Sequence, residues 1–305
     1  MTTPSLNIRG AITALVTPFD GNGKVDTTAL ERLVEFQIRA GVHGVNPCGT
    51  TGEHALLTPD ERQRIAEVVV RTARKRVPVF IQTGASSTEA TMALTRHAQQ
   101  IGADAATVVT PFYYRYDDAA LIQHYQRVAE SAPDFPVFLY NIPQLTGNNL
   151  TPAIVAAIAE RCPNVLGMKD SSGNLQQVID SAATRGGHFG IAVGSDGLVL
   201  SALVAGIPAS VTGNANATPE LFVELFEAYW RGDLATAQAA QAKIQHVRRI
   251  LKDGGDLSLF KSILAYRGLP VGGVRPPMQN APKEVVEACI NALTERGILL
   301  APIEL

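Results

Sequence analysis

Thr151-Pro152-Ala153-Ile154-Val155-Ala156-Ala157-Ile158-Ala159-Glu160-Arg161-Cys162-Pro163-Asn164-Val165-Leu166-Gly167-Met168-Lys169-Asp170-Ser171 reads as one helix followed by one strand. A threonine before a proline is a helix start: the hydroxyl takes an orphan backbone N–H, and proline tolerates the first helical position. The run from Val165 is apolar and short, with turn residues before it, as a buried strand is. Working outward, the same unit repeats. Strands are expected at 12–19, 44–49, 77–84, 105–112, 137–143, 165–171, 189–195 and 209–214, with longer amphipathic segments between them.

Thr58-Pro59-Asp60-Glu61 and Thr218-Pro219-Glu220 mark two more helix starts, and Gly41, Gly102 and Gly206 stand where helices should end and turn into the next strand. Eight strands in regular alternation with helices define an α/β protein of the (β/α)8 TIM-barrel class. A doubly wound sheet would usually carry a glycine-rich fingerprint after its first strand, and Thr17-Pro18-Phe19-Asp20-Gly21-Asn22-Gly23 is not one. After Gly232 only helical patterns remain, at 233–252, 257–267 and 283–296. The expected organisation is a barrel over 1–232 and a C-terminal helical region over 233–305.

The 305 residues are 46% hydrophobic, enough to bury one large core, and the formal net charge of -2 offers no footprint for nucleic acid or an anionic membrane. The first nine residues lack the basic and apolar regions of a secretory signal, and no later run is long and apolar enough to span a bilayer. A cytoplasmic protein is expected. Cys48, Cys162 and Cys289 are odd in number and far apart, which suits reduced thiols rather than a disulfide framework. No histidine pair has metal-ligand spacing, so no metal is expected.

In a barrel of this class the chemistry gathers at the carboxyl ends of the strands. Lys169 is the most informative residue there. Burial disfavours an ammonium, and a neutral amine attacks a carbonyl to form a Schiff base. The other reading is a lysine that snorkels to water or pairs with a structural carboxylate. Gly49-Thr50-Thr51-Gly52 can offer backbone N–H groups and hydroxyls to a small carboxylate, or can cap the following helix. Tyr140, one strand before Lys169, is either a core residue or a proton carrier that shares its cavity. Tyr113 at the end of strand four, Gly194 at the end of strand seven and Ser210 on strand eight complete the candidates. Asp170, next to Lys169, should face away from the pocket and be structural.

Four segments in order, Ala14-Leu15-Val16-Thr17-Pro18-Phe19, Gly49-Thr50-Thr51-Gly52-Glu53, Tyr140-Asn141-Ile142-Pro143 and Gly167-Met168-Lys169-Asp170, resemble the N-acetylneuraminate lyase and dihydrodipicolinate synthase superfamily of Schiff-base aldolases. The resemblance implies a barrel with a C-terminal helical region, usually a homotetramer, acting on a small 2-oxo acid without a cofactor beyond the imine on Lys169. It implies Lys169 as the imine-forming residue and Tyr140 as the proton-transfer residue. Thr50 and Thr51 would bind the pyruvate carboxylate, and Tyr113 would reach a neighbour's site. Leu145 stands where the synthases have an arginine for the carboxylate of aspartate semialdehyde, and leucine cannot make that bidentate contact. The sequence therefore looks nearer to members that cleave or dehydrate 2-keto-3-deoxy sugar acids or 4-hydroxy-2-oxoglutarate. Synthase, neuraminate lyase and a small-acid-binding barrel without turnover are the alternatives.

Overall fold

The computed structural model describes Leu6, Ile8 to Ile298 and Ala301 to Ile303. The chain groups into two compact units: Val79–Val211 with the described residues up to Arg9, and Gly10–Pro78 with the chain from Thr212 onward.

The second unit begins with β1 (Gly10–Ala14), α1 (Thr27–Arg39), β2 (Gly44–Asn46) and α2 (Pro59–Ala73), with β1 and β2 parallel and Ala14 paired to Asn46. Strand β1 is shorter than expected at its carboxyl end. Beyond Leu15 the N–H groups leave the ladder: Val16 donates to the Asn216 side chain and Phe19 to the Val271 carbonyl. Helix α2 starts as the sequence predicts, with Thr58 and Glu61 forming a reciprocal capping box ahead of Pro59, an arrangement worth ~1 kcal/mol.

The first unit carries β3 (Phe80–Gln82), α3 (Thr88–Gln100), β4 (Ala105–Val109), α4 (Asp118–Glu130), β5 (Val137–Asn141), α5 (Pro143–Thr146), α6 (Pro152–Arg161), β6 (Val165–Asp170), α7 (Leu175–Ala182), β7 (Gly190–Val193), α8 (Val199–Val204) and β8 (Ala209–Thr212). Each strand from β3 pairs in parallel with the next. Thr151 caps α6 through Ile154 N. Gly102 and Gly206 take the left-handed conformation that ends α3 and α8, and Gly41 does the same after α1. The interior is mainly aliphatic and aromatic, with buried polar side chains such as Asn141, Lys169 and Asp170 among them. Phe80 and Phe138 meet edge-on, with ring centroids 5.5 Å apart, and each fully buried side chain of this size contributes about 1.5–3 kcal/mol.

The second unit closes with α9 (Pro219–Trp230), α10 (Leu234–Ile250), α11 (Leu257–Tyr266) and α12 (Lys283–Glu295). Thr218 does not cap α9. Its hydroxyl donates back to the Asn214 carbonyl, because the preceding turn over Asn214–Asn216 presents that acceptor first. Arg267, after α11, is buried and donates to the Ala217 and Ala301 carbonyls while pairing with Glu220 at 2.6 Å.

Eight strands, parallel in the pairs described, alternate with helices and lead into a helical C-terminal region: the fold is the (β/α)8 barrel with the expected extension. Cys48, Cys162 and Cys289 are buried free thiols. Among the described residues no helix is long and apolar enough to cross a membrane, and no cluster of three or more His, Cys, Asp or Glu could hold a metal ion.

Candidate active site

In the first unit, parallel pairing puts partners on the same face of the sheet, and Tyr140 is the partner of Lys169. Both are buried, at 1% and 6% exposure, so Lys169 does not snorkel to water. The Lys169 amine lies 4.1 Å from the centre of the Tyr140 ring. Val109 is next to Tyr140 on the same face, and Ala192 and Ala209 follow Lys169 across β7 and β8. The neighbours of Lys169 on this face of β7 and β8 are therefore both small.

Gly194 packs closely against the same lysine. A Cβ there would stand 3.1 Å from Lys169 Cε and 2.0 Å from Ser171 Oγ. Lys169, Tyr140 and Gly194 are thus brought together as the sequence suggested. Ser210 is not with them. It pairs with Val193, which pairs with Asp170, so it shares the face opposite Lys169, and Ala209 holds the position beside the lysine. The strand period of two explains this correction: a shift of one residue reverses the face.

Asp170 behaves as its alternation predicts. Its carboxylate accepts from Asn141 Nδ2 and Gln177 Nε2, both at 2.9 Å, and from the backbone N–H and hydroxyl of Ser172. Asn141 Oδ1 in turn accepts from Leu150 N. This network fixes the carboxyl ends of β5 and β6, and therefore the two residues that face inward from them. Tyr113 takes a left-handed backbone, φ 83°, and projects outward, 86% exposed, with its ring edge-on to Tyr114 at 4.9 Å. Leu145, on the single turn α5, is 63% exposed.

Gly49, Thr50 and Thr51 belong to the second unit, in a tight turn after β2. Gly52 N and His54 N donate to the Gly49 carbonyl and Glu53 N donates to the Thr50 carbonyl. The turn is bracketed by two non-glycine residues in the left-handed region, Cys48 at φ 59° and Glu53 at φ 61°, each costing about 1 kcal/mol or more. Thr17 Oγ1 donates to the Gly52 carbonyl at 2.7 Å, and a Cβ on Gly52 would meet Leu15 O at 2.9 Å, so only glycine lets the turn sit this close to β1. Thr50 and Thr51 keep partial exposure while Cys48, Gly49, Gly52 and Glu53 are buried. Burial pushes the Cys48 thiol up to about 11, against the pull of Arg62. Its S–H donates to the Arg62 carbonyl and it is no nucleophile at neutral pH.

The sequence reading missed what holds this turn. The Glu53 and Lys261 side chains, 0% and 1% exposed, form an ion contact of 2.6 Å between Oε1 and Nζ. The aligned hydrogen bond of Nζ goes to the Gly273 carbonyl, also at 2.6 Å, and Glu53 Oε2 accepts from Arg275 N at 2.9 Å. Burial lowers the Lys261 pKa and Glu53 opposes that shift. A signal was present: Lys261 lies between Phe260 and Leu264 on the apolar face of α11, where a solvated lysine does not belong.

The barrel thus carries a buried lysine on its sixth strand with a tyrosine beside it, at positions where barrels of this class place functional residues. The sequence matches the Dihydrodipicolinate synthetase family over residues 7–296, and the chain belongs to that family, one of lyases. It is 39% identical over 297 residues to an uncharacterised DapA-like lyase of Halobacterium salinarum, covering 96% of each chain. It is 36% identical to the 4-hydroxy-tetrahydrodipicolinate synthase of Nitratidesulfovibrio vulgaris, covering 93% of this chain and 99% of the relative. Among solved structures it superposes with a TM-score of 0.91 and 30% identity on YagE of E. coli K12, a prophage protein of the dihydrodipicolinic acid synthase family in complex with pyruvate, covering 95% of this chain and 99% of that one. Dihydrodipicolinate synthase from Aquifex aeolicus gives 0.90 at 28% identity, covering 98% of this chain and 100% of that one.

Proposed function

We propose that this protein is a Schiff-base lyase that cleaves or dehydrates a 2-keto-3-deoxy sugar acid or a 4-hydroxy-2-oxo acid, with pyruvate as the common unit. The observation that carries the reading is the Lys169 amine, buried and 4.1 Å from the centre of the Tyr140 ring, with Gly194 packed against its stem.

The Lys169 amine adds to the C2 ketone, and the carbinolamine takes up a proton at its hydroxyl and loses water to give an iminium ion. In cleavage Tyr140 takes the proton of the C4 hydroxyl, the C3–C4 bond breaks, and its electron pair moves to C3 and the iminium nitrogen as an enamine while an aldehyde leaves. Protonation at C3 and hydrolysis of the imine release pyruvate and restore Lys169. Dehydration uses the same imine: loss of a proton from C3 gives the enamine, whose electron pair expels the C4 hydroxyl, which takes up a proton and leaves as water. Thr51 and Tyr113 assist the proton steps, and Gly49, Thr50 and Thr51 take the substrate carboxylate, as the family resemblance implies. No cofactor enters this scheme, and a homotetramer is the expected assembly.

The synthase named among the relatives is the second reading, condensing pyruvate with aspartate semialdehyde. Leu145 disfavours it, since an exposed leucine offers nothing to a second carboxylate. N-acetylneuraminate lyase and a non-catalytic acid-binding barrel rank lower; a carboxylate binder has no use for the buried amine. The test is borohydride reduction in the presence of pyruvate, followed by peptide mass spectrometry. A reduced adduct on Lys169 is expected, absent in a folded Lys169→Ala protein. An adduct on Lys261 or another lysine instead would remove the assignment.

A further inference from the structure

We infer that the buried Glu53–Lys261 pair is a positioning device for the carboxylate-binding turn, through which the C-terminal helical region sets the affinity for the 2-oxo acid. The inference rests on the proposed function and adds residues to it. Thr50 and Thr51 lie in a turn whose left-handed exit, at Glu53, is not a conformation that residue prefers. Something must hold it there. Each Glu53 oxygen is held by a residue of the C-terminal region: Oε1 by Lys261 on α11, Oε2 by the backbone N–H of Arg275. Lys261 is itself fixed by the Gly273 carbonyl and sits over the Phe19 ring, 4.3 Å from its centre. The Arg275 guanidinium packs on the same ring at 4.4 Å and bonds the Glu61 carboxylate and the Leu56 and Gly23 carbonyls. The segment 272–275 is thereby tied to both ends of the turn's surroundings.

Charge gives the pair a second task. Glu53 is two residues from Thr51, and a lone buried carboxylate there would repel the substrate's own carboxylate through a low dielectric. Lys261 cancels it. Neutrality and geometry both act on binding and not on bond cleavage, so the pair should influence pyruvate affinity far more than the chemical step.

The experiment measures borohydride trapping of pyruvate at Lys169 as a function of pyruvate concentration, together with melting temperature. Lys261→Met keeps the stem and removes the charge. Half-saturation should rise ~10-fold to ~100-fold, as for a misplaced binding group, while the rate at saturating pyruvate stays within about threefold. Adding Glu53→Gln removes the uncompensated carboxylate and should bring half-saturation part of the way back. Arg267→Met, which removes a buried guanidinium of the helical region paired with the half-exposed Glu220, is the control: it should lower the melting temperature without moving half-saturation. A folded Lys261→Met protein with wild-type half-saturation, or a rise matched by Arg267→Met, would overturn the inference. If Lys261→Met does not fold, the double variant decides, and unchanged half-saturation in it overturns the inference equally. Failure of the wild type to be trapped at all would instead sink the proposed function, and this inference with it.

Discussion

Gly194→Ala adds one methyl group beside the proposed nucleophile, and the structure sets its size of effect. Gly194 does not require a left-handed backbone, so alanine costs nothing there by conformation. The cost is steric. The new Cβ would lie 2.0 Å from Ser171 Oγ, 3.0 Å from Ser171 Cβ and 3.1 Å from Lys169 Cε. Ser171 can rotate its hydroxyl away, but its Cβ and the lysine stem must each yield by a few tenths of an ångström. Overpacking of this kind costs about 1–3 kcal/mol, and displacement of an attacking group by a fraction of an ångström slows reaction by roughly 10-fold to 100-fold. The amine at the end of the stem moves further than Cε does. Ser171→Ala in the same chain relieves only the hydroxyl contact, so it should restore stability more than rate. The assay is the rate of borohydride trapping at saturating pyruvate, with melting temperature on the same preparation. A Gly194→Ala protein that is trapped at the wild-type rate would refute the reasoning, because Lys169 would then not need the position in which the structure holds it.

Tyr140→Phe keeps the buried ring and should leave melting temperature nearly unchanged while slowing turnover ~10²–10⁴-fold; near-normal turnover would return Tyr140 to the core. Catalytic efficiency for cleaving or dehydrating 2-keto-3-deoxy acids should exceed that for condensing pyruvate with aspartate semialdehyde, and the reverse ranking in a side-by-side assay would defeat the argument from Leu145. Burial, with a smaller push from Arg127, holds His124 down at about 4, below the ordinary 6.5. Protons then bind the unfolded chain more readily, so its contribution is complete above pH 6.5 and is lost as pH falls toward 4. About 2 kcal/mol should be gone by pH 5. Calorimetry at pH 7 and 5 should show a smaller loss in His124→Asn, which leaves the similar share of His54, at about 3, in place; an equal loss in both proteins would contradict the assignment.

The fold was readable because its signals are local. Thr58 and Thr151 precede prolines that open helices, Gly41, Gly102 and Gly206 close them, and apolar runs between such marks are strands whatever surrounds them. Lys169, Tyr140 and Asp170 were readable too, since strand period alone assigns their faces. What sequence lacked was register and distance. Ser210 stood one residue from the inward position, and only pairing with Val193 shows which way it points. Thr218 had the sequence of a cap and lost that role to a carbonyl supplied by the preceding turn. Glu53 and Lys261 are 208 residues apart in the chain, and no local pattern links a residue after β2 to one on α11. Propensity and periodicity act over a few residues and are written in the sequence. Which buried charge meets which is settled when packing excludes water from both, and that belongs to the tertiary structure alone.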